Sequence, residues 1–234
     1  RRAASVVTVS EASRQELSRL GRQYSGKISV IPNVYRNAPA REVKASVRRP
    51  VFLAVVSTWK PHKGVPFLLK AFGEFARKNS NYTLTLVGTG LEEAMKDKQA
   101  KRLFEKYKNN VHVLGQVSDT ELSILFAEAC ALCVASFAEG FGLPFLEAHA
   151  YGTPVVHRPV PALQELHIEG LDICAADWSQ DAYVEALEEA TKADSEQHRP
   201  DHPLVQDQLR AHSFDNVRPT LIETYRRHGG GIKQ

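Results

Sequence analysis

Long apolar runs are missing from this sequence of 234 residues. The longest, such as Val51 to Val56, stop at about half a dozen residues, whereas crossing a bilayer takes roughly 20, so no membrane-spanning helix is expected. Cysteine is scarce: three residues, Cys130, Cys133 and Cys174, cannot form a disulfide framework without leaving one over. That points to a reducing compartment, with the cytoplasm as the default. An excess of positive charge is also lacking. Thirty Lys and Arg against 27 Asp and Glu give a net +3, scattered along the chain, and no basic face of the kind that lines up against phosphates in a nucleic-acid binder. No nucleic-acid partner is expected. An Asp-x-Asp pair also occurs nowhere. There is no initiator Met and no signal-peptide pattern in Arg1-Arg2-Ala3-Ala4-Ser5, so the sequence reads as a piece of something longer.

What is present is a soluble globular composition, 43% apolar and 24% charged, with a strong alternation of elements. Val6 to Val9 reads as a strand, and Ser10 as the N-cap of a helix over Glu11 to Leu20. Ile28 to Ile31 is a second short strand. The polar stretch from Val34 to Pro50 has no apolar period and reads as a linker. From Val51 the pattern becomes regular, with strands at Val51–Val56, Leu84–Val87, Val111–Leu114, Ala131–Ser136, Pro154–His157 and, weakly, Leu171–Cys174. Between them lie helical patterns: Val65 to Ala76, Leu91 to Tyr107, a Ser118–Glu121 capping box opening a helix to Ala129, Leu143 to Ala150, and a short helix near Ala162 to Leu166. Another helix follows Ser179. A polar loop from Ala193 to Pro203 precedes a last helix from about Phe214 to His228, where Pro219 is tolerable only near the first turn.

Six strands alternating with helices predict an α/β class: a Rossmann-like, doubly wound parallel sheet of about six strands with right-handed crossovers. In the order 3-2-1-4-5-6 the first and fourth strands lie side by side, and the loops after them open a crevice for ligands. Those loops are Ser57 to Gly64 and Phe137 to Gly142. The second carries Glu139-Gly140-Phe141-Gly142-Leu143-Pro144 and Glu147. Its glycines let backbone approach a ligand, and Pro144 begins a helix whose N-terminal N–H groups suit an anion. Glu147, one turn in, suits a vicinal diol such as a ribose. Across the crevice, Lys63 can place an ammonium on a phosphate. Cation, helix N-terminus and diol acceptor together describe a nucleotide diphosphate. Taken singly, each of these residues also fits an ordinary solvated surface.

The element from Glu139 to Glu147, followed by Ala148-His149-Ala150-Tyr151-Gly152-Thr153-Pro154-Val155-Val156, resembles the signature of the "group 1" family of retaining GT-B glycosyltransferases. Val9-Ser10, Ile31-Pro32-Asn33, Lys63-Gly64, Leu86-Val87-Gly88-Thr89-Gly90, Leu114-Gly115-Gln116-Val117-Ser118 and Ala162-Leu163-Gln164-Glu165-Leu166 agree in order and spacing. The resemblance implies the nucleotide-sugar-binding, C-terminal half of such an enzyme. It divides the chain into 1–32, the last part of a first Rossmann-like domain; 33–50, a linker; 51–208, the donor domain; and 209–234, a terminal helix and tail.

By that resemblance Lys63 binds the donor diphosphate, Glu147 the ribose hydroxyls and Glu139 hydroxyls of the transferred sugar, which makes Glu139 and Lys63 the catalytic candidates. Phe141, Gly142 and Leu143 give backbone contacts, Gln116 and Val117 edge the base, and Ser57, Thr58 and Gly88 complete the donor set. The implied reaction moves a hexose from a UDP-, GDP- or other nucleotide diphosphate sugar to a hydroxyl of a glycan or lipid-linked acceptor, with retention and without metal or other cofactor, and the lack of any Asp-x-Asp pair to hold a metal-bound diphosphate agrees. Ser57-Thr58 departs from the Gly-Arg of many members, leaving Lys60 or His62 to supply a second cation. The fragment alone is expected to be inactive in transfer. Any peripheral attachment to the inner face of a membrane is expected through the part that is absent. The alternative is a non-catalytic nucleotide-binding module on the same fold. Cys130 and Cys133 read as buried structural thiols, His149 as packing beside the site, and His112 and His157 as lacking metal-ligand spacing.

Overall fold

The computed structural model describes residues 5–21, 26–35, 48–193 and 198–228. The greater part of the expected 33–50 linker and the glycines at 229–231 lie outside them. Strands β1 (Val6–Thr8) and β2 (Ile28–Val30) pair in parallel as a small sheet of their own, connected by α1 (Glu11–Arg19). The expected cap is present: the Ser10 hydroxyl accepts from the Ser13 N–H.

The main sheet holds β3 (Val51–Val55), β4 (Thr83–Val87), β5 (Val111–Gly115), β6 (Ala131–Val134), β7 (Val155–His157) and β8 (Ile173–Cys174), all parallel, in the order β5-β4-β3-β6-β7-β8. Counted from Val51, that is the expected 3-2-1-4-5-6. The physical reason is visible along β3. Phe52, Ala54 and Val56 are buried on one face, in the cluster that also holds Leu68, Phe72 and Phe75 of α2 (Val65–Lys78) and Tyr183 and Leu187 of α8 (Gln180–Ala190). Leu53 is buried on the other, with Phe126 of α5 (Asp119–Glu128) and Phe145 and Leu146 of α6 (Leu143–Ala150). A strand that is apolar on both sides needs helices on both faces, and the crossovers supply them.

Three expectations are corrected. The pattern from Leu91 to Tyr107 is two helices, α3 (Gly90–Ala94) and α4 (Lys98–Tyr107), because the Asp97 carboxylate accepts the Ala100 N–H at 2.7 Å and starts a new helix. Beyond the short α7 (Pro161–Gln164), residues after Pro203 form α9 (Pro203–Ala211), with Pro in its first turn and Val205 buried. The boundary expected at 208/209 thus falls within a helix. Finally, Pro219 lies inside α10 (Phe214–His228) rather than in its first turn. It has no N–H to offer the Asp215 carbonyl, a missing bond that the largely exposed surroundings let water supply. Among the described residues no helix is long and apolar enough to cross a membrane.

Candidate functional site

The two loops singled out by the strand order touch one another. After β3 the chain makes a 3₁₀ turn over Pro61–Lys63 that ends at Gly64, where φ is +66°. A Cβ there would lie 2.1 Å from the Ala135 carbonyl oxygen at the end of β6, so only glycine lets this turn settle on the neighbouring strand. The Phe137 N–H donates to the His62 carbonyl at 2.7 Å. Lys63 and Glu139 then meet side by side: the ammonium lies 2.8 and 2.9 Å from the two carboxylate oxygens. The Ser136 hydroxyl donates to the same carboxylate at 2.6 Å. The pair is mostly shielded, with side-chain exposures of 23% for Lys63 and 14% for Glu139.

This pair borders a cavity of about 280 Å³, lined also by Ser57, Gly140, Phe141, Gly142 and Leu143. Gly142 has φ +113° and precedes α6, whose early Pro144 has no N–H; the helix end therefore offers its remaining N–H groups toward the loop. Ser57, Lys63, Glu139, Phe141, Gly142 and Leu143 are thus brought together. Thr58, Gly88, Gln116, Val117 and Glu147 are not among the residues that line this cavity. Thr58 and Gln116 are exposed, while Gly88 and Val117 are half-buried. The loops after β3 and β4 are tied by the Thr89 hydroxyl to the Ser57 carbonyl at 3.0 Å and by the Gly90 N–H to the Val56 carbonyl at 3.0 Å. Lys60 and His62 are both exposed on the lysine turn.

Glu147 sits half-buried on α6 and makes no side-chain hydrogen bond among the described residues. Burial, and then the Asp119 carboxylate, push its carboxyl above the ordinary range. An ionised group held partly out of water without a donor is one that a diol can satisfy.

Ser136, which fixes Glu139, is not among the residues singled out in the sequence, while Val9 and Asn33, whose motifs resemble the family's, reach the cavity from the β1–β2 unit. Glu165 joins the same unit to the main domain by accepting the Glu11 and Ala12 N–H groups at 3.0 and 2.6 Å. Ser136 carries only a faint signal in the sequence, a hydroxyl at a strand end three residues before a carboxylate, and Val9, Asn33 and Glu165 are marked by the ordered resemblance to the family rather than by any partner near them in the chain. The thiols of Cys130 and Cys133 are buried, and burial pushes Cys130 up to about 11 and Cys133 further up, which leaves both unreactive. His149 packs in the core with Nε2 2.9 Å from the Asp172 carboxylate. Among the described residues no group of three or more His, Cys, Asp and Glu is arranged to hold a metal ion.

Comparison with known proteins agrees with this geometry. Residues 38–202 match the family described as "Glycosyl transferases group 1". The O-antigen chain mannosyltransferase RfbU of Salmonella typhimurium is 33% identical over 170 residues, which is 73% of this chain and 46% of that protein. Glycogen synthase of Mycobacterium tuberculosis is 30% identical over 174 residues, 73% of this chain and 41% of that protein. The chain therefore spans about half the length of these relatives. Among solved structures, a glycosyltransferase from Rickettsia africae superposes with a TM-score of 0.78 at 17% identity, covering 97% of this chain and 64% of that one. Anabaena HepE, solved in complex with UDP and glucose, gives 0.74 at 19%, covering 95% and 62%. At such identities the likeness establishes the fold, while the extent of the sequence match establishes the family. With its six-stranded doubly wound sheet and its paired crevice loops, the chain belongs to the group 1 glycosyltransferases.

Proposed function

We propose that the chain is the donor-binding part of a retaining, metal-independent hexosyltransferase, which moves a sugar from a nucleotide diphosphate to a hydroxyl of a glycan or lipid-linked acceptor. The observation that carries this reading is the Lys63–Glu139 pair, held across the crevice beside the α6 N-terminus. A diphosphate entering there competes with Glu139 for the Lys63 ammonium. The backbone of Gly142 and Leu143 takes the remaining phosphate charge, and Glu139, released from Lys63, accepts from hydroxyls of the sugar. Glu147 accepts from the ribose, and the main chain of Gln116 and Val117 edges the base. In the transfer itself the bond from the sugar to the leaving phosphate breaks as the acceptor oxygen attacks on the same face, and the acceptor proton passes to that phosphate. Lys63 and the helix end stabilise the charge that develops on it.

Two relatives are named for O-antigen mannosyl transfer, which makes mannose the first sugar to test and polysaccharide assembly the setting. The protein is proposed to act in the cytoplasm, at the inner membrane face if its acceptor is lipid-linked. Calorimetric titration of the chain with UDP and GDP tests the donor site. Binding of either, weakened by Lys63→Ala and by Glu147→Ala, is expected; affinities unchanged in both variants would sink it.

A further inference from the structure

A buried cation stands next to this site without a partner of opposite charge. Arg158, just after β7, is 2% exposed and pairs with no carboxylate among the described residues. Its Nη2 donates to the Trp178 carbonyl at 2.8 Å, while Nε and Nη1 have no hydrogen-bond partner. Three rings enclose it instead. The guanidinium carbon lies 3.8 Å from the ring centre of Phe137, 4.3 Å from that of Phe67 and 4.7 Å from that of Trp178. An uncompensated buried charge is costly, and ring faces offset only part of that cost. An apolar side chain of similar volume would fill the space without it, so the arrangement calls for a reason other than stability.

The rings supply one. Phe137 lies between Ser136, which holds Glu139, and Glu139 itself. Its N–H is bonded to the His62 carbonyl, and its Cε2 lies against Gly64, where a Cβ would be 3.4 Å away. Phe67 belongs to α2, one turn beyond Lys63. The guanidinium plane therefore grips, through Phe137 and Phe67, both segments that carry the ion pair.

We infer that Arg158 is a positioning residue of the donor site: through Phe137 it fixes the Glu139 loop against the Lys63 turn and sets the spacing at which the pair meets a diphosphate. The inference rests on the donor-site reading above. It requires the flat, stacking cation of arginine, which the compact ammonium of lysine does not reproduce.

The test uses Arg158→Met and Arg158→Lys in the full chain, with three readouts: the melting temperature, the ¹H–¹⁵N signal of the Lys63 ammonium bonded to Glu139, and titration with UDP and GDP. Arg158→Met is expected to melt no lower than wild type, since an unpaired buried charge is gone, yet to lose the Lys63 signal. It is also expected to bind nucleotide about tenfold or more weakly, the scale of effect that small misplacements at a site produce. Arg158→Lys restores neither. Retention of the Lys63 signal and of wild-type affinity in Arg158→Met overturns the inference, as does rescue by Lys. So does a parallel fall in stability and affinity, which is the mark of plain packing. Should Arg158→Met not fold, Phe137→Leu decides: it leaves Arg158 in place and must still lose the Lys63 signal. If wild type binds neither UDP nor GDP, the donor-site reading fails, and the Lys63 signal alone judges Arg158.

Discussion

The Lys63 ammonium is committed to Glu139, with its nitrogen 2.8 and 2.9 Å from the two carboxylate oxygens. The pair brings together residues 76 positions apart in sequence, and it has a consequence for binding. A diphosphate must take Lys63 away from a shielded carboxylate before it can use the charge. In Glu139→Gln that competition is weakened, so UDP and GDP, which carry no sugar, are expected to bind about threefold to tenfold more tightly, part of the worth of a charge-assisted bond because the amide oxygen still accepts from Lys63. Lys63→Ala is expected to weaken them tenfold or more on the same grounds. The same Gln variant in a transfer-competent protein is expected to lose sugar transfer. Calorimetry with sugar-free nucleotide settles the sign, and a Glu139→Gln variant that binds more weakly than wild type contradicts the competition.

Glu147 has the opposite balance between stability and binding. Its folded carboxyl is held above the ordinary 4.5 by burial and by Asp119, so the folded state takes up its proton more readily than the unfolded state does. The contribution to stability is therefore greatest in acid and is lost as pH rises through 4.5 toward the raised folded value. Glu147→Gln removes an ionised group that lacks a donor, and it should melt higher than wild type near neutral pH. The gap should close as pH falls below 4.5, where Glu147 is protonated in the folded and the unfolded state alike. Nucleotide binding should fall by about tenfold, because an amide replaces a charged acceptor. A lower melting temperature at neutral pH would refute this account.

The sheet order and the crevice were legible from sequence for the same reason. Runs such as Val51 to Val56 bury side chains on both faces, and that forces the doubly wound arrangement in which the loops carrying Lys63 and Glu139 face each other. The contacts that tune the crevice were not legible. Arg158 follows a strand with nothing beside it in sequence to mark it as buried, and its rings come from three separate segments. Glu165 reaches α1 across 154 residues. Errors in local structure have a different origin. Asp97, inside an otherwise periodic apolar pattern, is a cap that divides it, and Pro203 in a polar stretch is a first-turn residue that begins α9.

Behind the site, His157 links the core to pH. Its imidazole is completely buried, bonded through Nδ1 to the Arg158 carbonyl at 2.8 Å and through Nε2 to His167 Nδ1 at 2.9 Å. Burial lowers its pKa below the ordinary 6.5; the bond to the Arg158 carbonyl opposes this, the neighbouring His167 adds to it, Asp172 opposes it and His149 adds to it. A histidine depressed in this way is neutral in both states above 6.5 and costs nothing there. As pH falls below 6.5 the unfolded chain takes up the proton first, and stability is lost. Melting temperatures measured from neutral down to about pH 5 should therefore fall less steeply for His157→Gln than for wild type. Equal slopes for the two proteins would show that another group governs the acid limb.

Gly64→Ala tests how tightly the fold holds the site. The added Cβ would stand 2.1 Å from the Ala135 carbonyl oxygen and 2.9 Å from its carbon, both backbone atoms of a buried strand end. It would also occupy a backbone angle of +66°, which costs an L-residue about 1 kcal/mol even in open space. Neither neighbour can rotate aside, so the turn itself must lift. Lifting it breaks the bond from the Phe137 N–H to the His62 carbonyl and carries Lys63 away from Glu139. The expected loss of stability is about 2–4 kcal/mol, or roughly 5–15 °C in Tm for a chain of this size. Nucleotide affinity should drop with it at temperatures where the variant is still folded. Gly115→Ala is the control: that residue also has a positive φ, of +72°, but its Cβ would meet nothing within 4 Å. If the two variants lose the same stability, backbone strain alone accounts for Gly64, and contact with the end of β6 is not what seats the lysine turn.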